Sequence, residues 1–254
     1  MNLQNLLNKI KENIEKADFN LILKAYHFAE KAHLKQKRKS GEPYINHLLR
    51  ASYILAELKV DETSIIACLL HDVIEDTEIS KEKLVHEFSQ EVVNLIDGVT
   101  KIDKIIIPDF KERNSENLKK MLLAATQDLR VIIIKLADRL DNMRSLQYLG
   151  EDKQKRIAKE TLEIYAPLAY RLGLAKIKWQ LEDLSFKYLH PEIYHELKEK
   201  ISRKRSESEK QINQIKKIVE KELTLQKIDG EVSGRVKNFY SIYKKMIERD
   251  YLLE

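Results

Sequence analysis

Ile65-Ile66-Ala67-Cys68-Leu69-Leu70-His71-Asp72-Val73-Ile74-Glu75-Asp76-Thr77 runs an apolar segment straight into a cluster of groups that bind metals or move protons. Residues four apart on a helix share a face, so Glu75 is expected to stack over His71 and Asp76 over Asp72. A helix that is apolar all round is buried, and one that then emerges with polar groups suits the wall of a pocket. The plainer reading is that charged residues merely end a helix. The partners supplied by the rest of the chain decide between the two.

The chain has 254 residues, room for one large domain or two small ones. Only 6 Gly and 4 Pro interrupt a composition rich in Lys, Glu, Leu, Ile and Ala, which predicts an all-α protein with long helices. At 43% hydrophobic residues there is enough apolar material for a real core. The net charge of +5 is spread over helices of mixed sign. That is a weak basis for nucleic-acid binding and is compatible with an anionic small-molecule substrate. The single cysteine, Cys68, excludes a disulfide within the chain and reads as a small buried hydrophobe. Lys9, Lys11, Glu12, Glu15 and Lys16 interrupt any apolar leader, and no stretch approaches a membrane span. A soluble, cytoplasmic protein with no membrane partner is expected.

Upstream of the opening stretch, Leu3, Leu6, Leu7, Ile10 and Ile14 stripe a first helix over 3–16. Asp18 is the expected N-cap of a second, from about Phe19 to Lys35. The basic run Lys35-Gln36-Lys37-Arg38-Lys39-Ser40-Gly41-Glu42-Pro43 breaks at Gly41 and Pro43. It fits a solvated loop, a nucleic-acid patch, or a loop that holds phosphates beside a metal pocket. A third helix from Tyr44 to about Leu58 carries His47, and Asp61 or Thr63 caps the helix that leads to His71.

Downstream, helices are expected near Lys81–Phe88 and Gln90–Gly98, the latter ended by the run Gly98–Ile102. Residues 103–116 read as irregular, before a helix capped by Ser115 and continued by Leu118, Met121, Leu122 and Ala125. Val131-Ile132-Ile133-Ile134 fits a buried strand, whereas Lys135–Leu146 fits a helix with Asp138, Asn142 and Ser145 on one face. An aspartate behind an apolar run is costly to bury without a cation or hydrogen bonds, the ordinary alternative being an arginine salt bridge. Residues 152–172 form an amphipathic helix with a kink or break at Pro167, closed by Gly173. Helix 175–189 carries Trp179, a packing residue, and a domain boundary is placed near 190. A long charged helix over about 192–223 follows, with a thin stripe of Ile201, Ile212, Ile215 and Val219. Residues 223–236 read as extended and Phe239–Ile247 as the start of a helix.

His47, His71, Asp72 and Asp138 together suit Mn²⁺, Fe²⁺ or Zn²⁺ better than Ca²⁺ or Mg²⁺. An octahedral ion with four protein ligands keeps roughly two positions open, for water and a phosphate oxygen. Such an ion lowers the pKa of the water and polarises phosphorus. Glu75 and Asp76 are placed to orient or deprotonate that water, or to protonate a leaving group. Lys37, Arg38 and Lys39 balance substrate negative charge. The residues thus describe a metal-dependent phosphohydrolase.

His47, the His71-Asp72 pair and Asp138 resemble the metal set of the HD phosphohydrolase superfamily. Four longer strings are more specific: Arg38-Lys39-Ser40-Gly41-Glu42-Pro43-Tyr44, His71 through Thr77, Gly98-Val99-Thr100-Lys101, and Leu136-Ala137-Asp138-Arg139-Leu140 with Asn142-Met143-Arg144. In that order they resemble the hydrolase half of the RelA/SpoT family, the bifunctional synthetase–hydrolases of guanosine tetra- and pentaphosphate in the stringent response. The resemblance implies an all-α HD-domain helical bundle over 1–190, then a helical linker and a short extended segment over 191–254. It implies Mn²⁺-dependent removal of pyrophosphate from the 3′ position of (p)ppGpp, giving GDP or GTP. His47, His71, Asp72 and Asp138 would bind Mn²⁺, and Glu75 and Asp76 would be the catalytic acidic pair. Arg38 would lie against the guanine, with Lys39, Ser40 and Tyr44 nearby and with Asn142 and Ser145 contacting the nucleotide. Gly234-Arg235-Val236-Lys237-Asn238-Phe239-Tyr240-Ser241-Ile242-Tyr243-Lys244-Lys245-Met246 resembles the opening of the family's synthetase domain. No synthetase activity is expected from this chain alone, and no nucleic-acid partner. The chain departs from the family at Asp141, where the usual residue is His, at Ser145 for Thr and at Leu48 for Pro. Asp141 would place an extra negative charge beside an anionic substrate. Three further readings stand beside this one: an HD phosphohydrolase acting on another nucleotide, a nucleotide-binding regulatory fragment, and a nucleic-acid module resting on the basic runs Lys35–Lys39 and Lys198–Arg205, which read better as a substrate loop and a solvated helix.

Overall fold

The computed structural model describes residues 1–105 and 128–249, with backbone alone at 103–105 and 202–206, and its regular elements are all helices. The helix expected from Ser115 through Ala125 lies outside the described residues, as do residues 106–116 of the irregular segment expected over 103–116; its first three residues instead continue a helix. The chain divides into two compact units, Met1–Leu181 and Glu182–Glu254. His190, near which a boundary was expected, joins two helices, and the units part earlier, within a helix.

The first unit begins with α1 (Leu3–Asn13), α2 (Phe19–Ala32), α3 (Ile45–Glu57) and α4 (Glu62–Leu70). The short α5 (Val73–Asp76) and α6 (Lys81–Glu87) follow, then α7 (Gln90–Ile105) and α8 (Arg130–Arg144). Local chemistry sets the starts. The Asp18 carboxylate accepts from the amides of Asn20 and Leu21, and Asp61 accepts from Ser64 N at 2.8 Å. Each satisfies donors that a helix N-terminus leaves without partners. α4 packs against α2, α3, α7 and α8, and α3 packs in turn against α1 and α8. Every residue of α4 from Ile65 to Leu70 is buried, as the all-apolar run required. Cys68 lies in that wall, and burial pushes its thiol pKa up, which leaves it inert.

Two expectations are corrected here. Val131–Ile134 is the first turn of α8 rather than a strand, with Val131, Ile132 and Ile134 buried. A short apolar run cannot separate a buried strand from a buried helix. Asp128 decides it, because its side chain accepts from Arg130 N at 2.9 Å and its carbonyl from Val131 N at 3.2 Å. Gly98 does not end α7, which continues to Ile105. It is where α7 meets α8 closely: a Cβ at Gly98 would stand 2.6 Å from Cγ2 of Val131.

A 3₁₀ turn (Leu146–Tyr148) leads to α9 (Glu151–Glu160), a π-helical turn (Thr161–Tyr165) and α10 (Ala166–Arg171). The break expected at Pro167 takes the form of this π turn, in which the Ala166 amide bonds the Thr161 carbonyl five residues back. A proline has no amide to donate, and the widened turn just before it re-routes the ladder.

α11 (Ala175–Leu189) carries the division between the units. The second unit holds α12 (Pro191–Leu225) and α13 (Phe239–Arg249), joined by residues 228–238, which form neither helix nor strand. Its core is Phe186, Leu197 and Phe239, with Tyr243 stacked on Phe186 at 4.7 Å between ring centroids. The Asp183 carboxylate caps α13 by accepting from the amides of Phe239 and Tyr240. On α12, Ile201 packs against this cluster, whereas Ile215 and Val219 are exposed. Among the described residues, no helix is long and apolar enough to cross a membrane.

Candidate functional site

Three central helices deliver the site: α3 brings His47, the C-terminal end of α4 brings His71 and Asp72, and α8 brings Asp138. The expected continuous helix through His71–Thr77 is interrupted. α4 stops at Leu70, His71 and Asp72 make a turn, and α5 is a single helical turn. The reason lies in side chains that take helix-end carbonyls. His71 Nδ1 bonds the Cys68 carbonyl at 2.7 Å, and Thr77 Oγ1 donates to the Val73 carbonyl at 2.5 Å. Asp76 still follows Asp72 by one turn, its amide on the Asp72 carbonyl at 2.9 Å. Glu75 and Asp76 are both exposed on α5.

His47, His71 and Asp138 are buried, and each offers a ligand atom within 4.8 Å of the others. His47 Nε2 lies 3.2 Å from Asp138 Oδ1, and His71 Nε2 lies 3.9 Å from that oxygen. Asp72 Oδ2 adjoins both imidazoles, 3.2 Å from His71 Nε2 and 3.9 Å from His47 Nε2. Tyr44 donates to it at 2.7 Å. The donor set fits a divalent cation on its hydrogen bonds. The carbonyl that faces His71 Nδ1 can only accept, so Nδ1 carries the proton and the Nε2 lone pair faces Asp138 and Asp72. His47 has the same orientation, its Nδ1 on Asp141 Oδ2 at 2.7 Å. Without a cation, the imidazole holds a proton instead. Burial pulls the His47 pKa down, but Asp138 and Asp141 outweigh it and raise it to about 9. Burial would lift Asp138, yet the Lys135 charge and the two imidazoles hold it well below the usual carboxylate range. A cation bound by His47 Nε2 would take the place of that proton.

A cavity of about 270 Å³ opens along α8, and it gathers most of the residues expected to contact substrate. Arg38, Lys39 and Ser40 line it from the basic loop, and Asn142 and Ser145 from α8. Tyr44 is not in that lining and faces Asp72 instead. Sequence reasoning missed four polar members of the wall: Lys135, Arg139, Tyr148 and Lys153. Lys135 stands at the end of the apolar run and three residues before Asp138, a spacing that puts both on one helix face. Nothing local marked Lys153, which comes from α9. Lys135 and Asn142 join cavity to cluster, since Lys135 Nζ bonds Asp138 Oδ2 at 2.7 Å and Asn142 Nδ2 bonds Oδ1 at 2.6 Å. Arg139 is pinned by Glu160 at 2.5 Å and lies over the Tyr165 ring, 4.1 Å from its centroid.

The basic loop is tied back on itself, with Arg38 N on the Glu42 carbonyl and Tyr44 N on the Gln36 carbonyl. Gly41 adopts φ +86, a conformation other residues rarely adopt, and closes the turn. Gln36 Nε2 reaches the Asp76 carbonyl at 2.6 Å, and its Oε1 meets His33 Nδ1 at 2.6 Å. His33 stacks on Tyr44 at 4.8 Å between centroids. Partial desolvation holds the Asp76 carboxyl pKa above its ordinary value, with the Asp72 charge adding to it.

The HD domain family model matches residues 25–175. A GTP pyrophosphokinase of Myxococcus xanthus is 49% identical over 232 residues, covering 90% of this chain and 31% of the relative. A guanosine-3′,5′-bis(diphosphate) 3′-pyrophosphohydrolase of Borreliella burgdorferi is 46% identical over 248 residues, covering 97% of this chain and 37% of the relative. Its namesake in Vibrio cholerae is 47% identical over 235 residues, covering 92% of this chain and 33% of the relative. The chain thus spans about a third of the length of these relatives. A solved structure of a metazoan ortholog of SpoT that hydrolyzes ppGpp aligns with TM-score 0.48 and 26% identity, over 66% of this chain and 96% of that one.

Proposed function

The chain belongs to the HD domain family and resembles the HD half of the RelA/SpoT proteins, and from that premise we propose that it is a Mn²⁺-dependent (p)ppGpp 3′-pyrophosphohydrolase. The observation that carries the reading is the buried His47–His71–Asp138 cluster bordering a cavity walled by Arg38, Lys39, Lys135, Arg139 and Lys153. A donor set of two imidazoles and two carboxylates suits a divalent ion such as Mn²⁺, with Asp72 as the fourth ligand. When bound, the cation would polarise the phosphoryl group and acidify a water.

The chain's own residues do the rest. Arg38 flanks the guanine, with Lys39, Ser40, Asn142 and Ser145 fixing the nucleotide's orientation. Lys39 and Lys153 in the cavity wall offset part of the charge of two diphosphates, a role that suits a confined site of low dielectric. Water oxygen bonds to the phosphorus nearest O3′, and the bond from that phosphorus to O3′ breaks. Asp76, with Glu75 beside it, takes the water proton and returns one to O3′. The products are pyrophosphate and GDP, or GTP from the pentaphosphate. Tyr44 holds Asp72 toward the two imidazoles and keeps its own proton, since burial and the Asp72 charge push its pKa up.

Initial rates on ppGpp, dGTP and a cyclic dinucleotide, each with Mn²⁺, test the substrate. A preference for ppGpp of about 10²-fold or more in kcat/KM is expected, because a site built to bond polar groups rejects analogues that leave them unpaired. Equal rates on all three would favour an HD phosphohydrolase for another nucleotide. Tight ppGpp binding without turnover would favour a regulatory binding module.

A further inference from the structure

Asp141 has 0% exposure, yet its two oxygens meet three cationic or protonatable side chains. Oδ2 receives His47 Nδ1 at 2.7 Å, Arg38 Nη1 at 3.0 Å and Arg50 Nη2 at 3.3 Å, and Oδ1 receives Arg50 Nε at 2.7 Å. Arg50 then clasps Glu42 with two bonds of 2.8 and 2.6 Å, and the Glu42 carbonyl accepts from the Arg38 amide at 3.0 Å. Arg38 is thereby held at its backbone and at its guanidinium. Its Nη2 also bonds Asn142 Oδ1, and Asn142 Nδ2 donates to Asp138 Oδ1. The chain of contacts closes on itself: His47, Asp141, Arg38, Asn142, Asp138 and back to His47 Nε2.

This closed ring has two consequences. A carboxylate can only accept, so Asp141 fixes the His47 proton on Nδ1 and leaves Nε2 as the donor to a cation. The same carboxylate sets where the Arg38 guanidinium stands in the cavity wall. Two guanidiniums offset its charge, so it is not a free anion facing a substrate. We propose that Asp141 is a positioning residue that ties the cation-binding orientation of His47 to the placement of Arg38, so that cation and nucleotide each tighten the other's binding. This rests on the site being a metal-dependent nucleotide hydrolase.

The test is a linkage measurement by calorimetry, with Mn²⁺ titrated in the presence and absence of GDP and GDP titrated in the presence and absence of Mn²⁺. In the wild-type chain each ligand should tighten the other by about 5-fold or more, and by the same factor in both directions. Asp141→Asn should weaken Mn²⁺ binding about 10- to 100-fold, as loss of a group that orients a ligand does, and bring the mutual factor close to one. Arg38→Ala opens the ring on its other side and should also abolish the mutual factor, so the idea stays testable if Asp141→Asn does not fold. A purely structural Asp141 would lower the melting temperature of Asp141→Asn and leave its Mn²⁺ affinity and the mutual factor unchanged. That result, or an absent factor in the wild-type chain, overturns the inference. Wild-type protein that binds no Mn²⁺ at all would instead sink the functional reading beneath it.

Discussion

His71→Asn is expected to reduce pyrophosphate release from ppGpp by about 10³-fold or more and to weaken Mn²⁺ binding while leaving the fold intact. The magnitude follows from losing several kcal/mol of charge stabilisation, at about 1.4 kcal/mol per tenfold in rate. The asparagine amide nitrogen takes the place of Nδ1 and can still donate to the Cys68 carbonyl that His71 Nδ1 holds at 2.7 Å, so the end of α4 keeps its partner. What disappears is the Nε2 lone pair that faces Asp72 at 3.2 Å. Asp138→Asn provides the contrast. It should abolish turnover equally but also lower stability, because it takes the charge out of a buried ion pair in which Lys135 Nζ lies 2.7 Å from the carboxylate. Steady-state rates, Mn²⁺ titration and chemical denaturation of the two variants separate the roles. Near-normal turnover in His71→Asn would remove His71 from the proposed ligand set.

Asp76→Asn is expected to lower kcat by about 10²- to 10⁴-fold, the usual worth of a positioned general acid–base, while Mn²⁺ affinity stays within about 3-fold of wild type. Asp76 is exposed on α5, one turn beyond Asp72, and Gln36 fixes its carbonyl at 2.6 Å. Its carboxyl pKa is raised by desolvation, and then by the Asp72 charge. A base with a raised pKa is protonated, and therefore inactive, at the acid end of the pH range. The wild-type kcat should accordingly fall as pH drops, and that limb should be lost in Asp76→Asn. A drop in Mn²⁺ affinity as large as the drop in kcat would mean that Asp76 acts on the metal rather than on the proton. Glu75→Gln separates the neighbouring carboxylate in the same assay.

The sequence made the centre of the fold legible where one physical cause dominated. Ile65–Leu70 is apolar at every position, so burial was its only stable outcome. Asp18 and Asp61 were readable as caps because short acidic side chains before an apolar run satisfy free amides. Val131–Ile134 was ambiguous because apolarity on all sides carries no period, and the turn at Asp128 that leads into the helix is a local detail. The interruption after Leu70 was hidden because it depends on side chains bonding carbonyls within their own turn.

The candidate site was legible in its chemistry and obscure in its wiring. His47, His71 and Asp138 were named from residue type and resemblance, and they come together as a buried cluster. Asp141 was read as an extra charge beside an anionic substrate. Its partners, Arg38 and Arg50, lie 103 and 91 residues away in the chain, and no local pattern encodes such a pairing. Lys153 in the cavity wall was out of reach for the same reason.

The most direct measurement is pyrophosphate release from ppGpp by the metal-stripped protein during a titration with Mn²⁺. Release should be undetectable without metal, rise to saturation as Mn²⁺ is added, and leave GDP with its 5′ diphosphate intact. Turnover that is equally fast in excess chelator, or the absence of pyrophosphate at saturating Mn²⁺, would contradict the account.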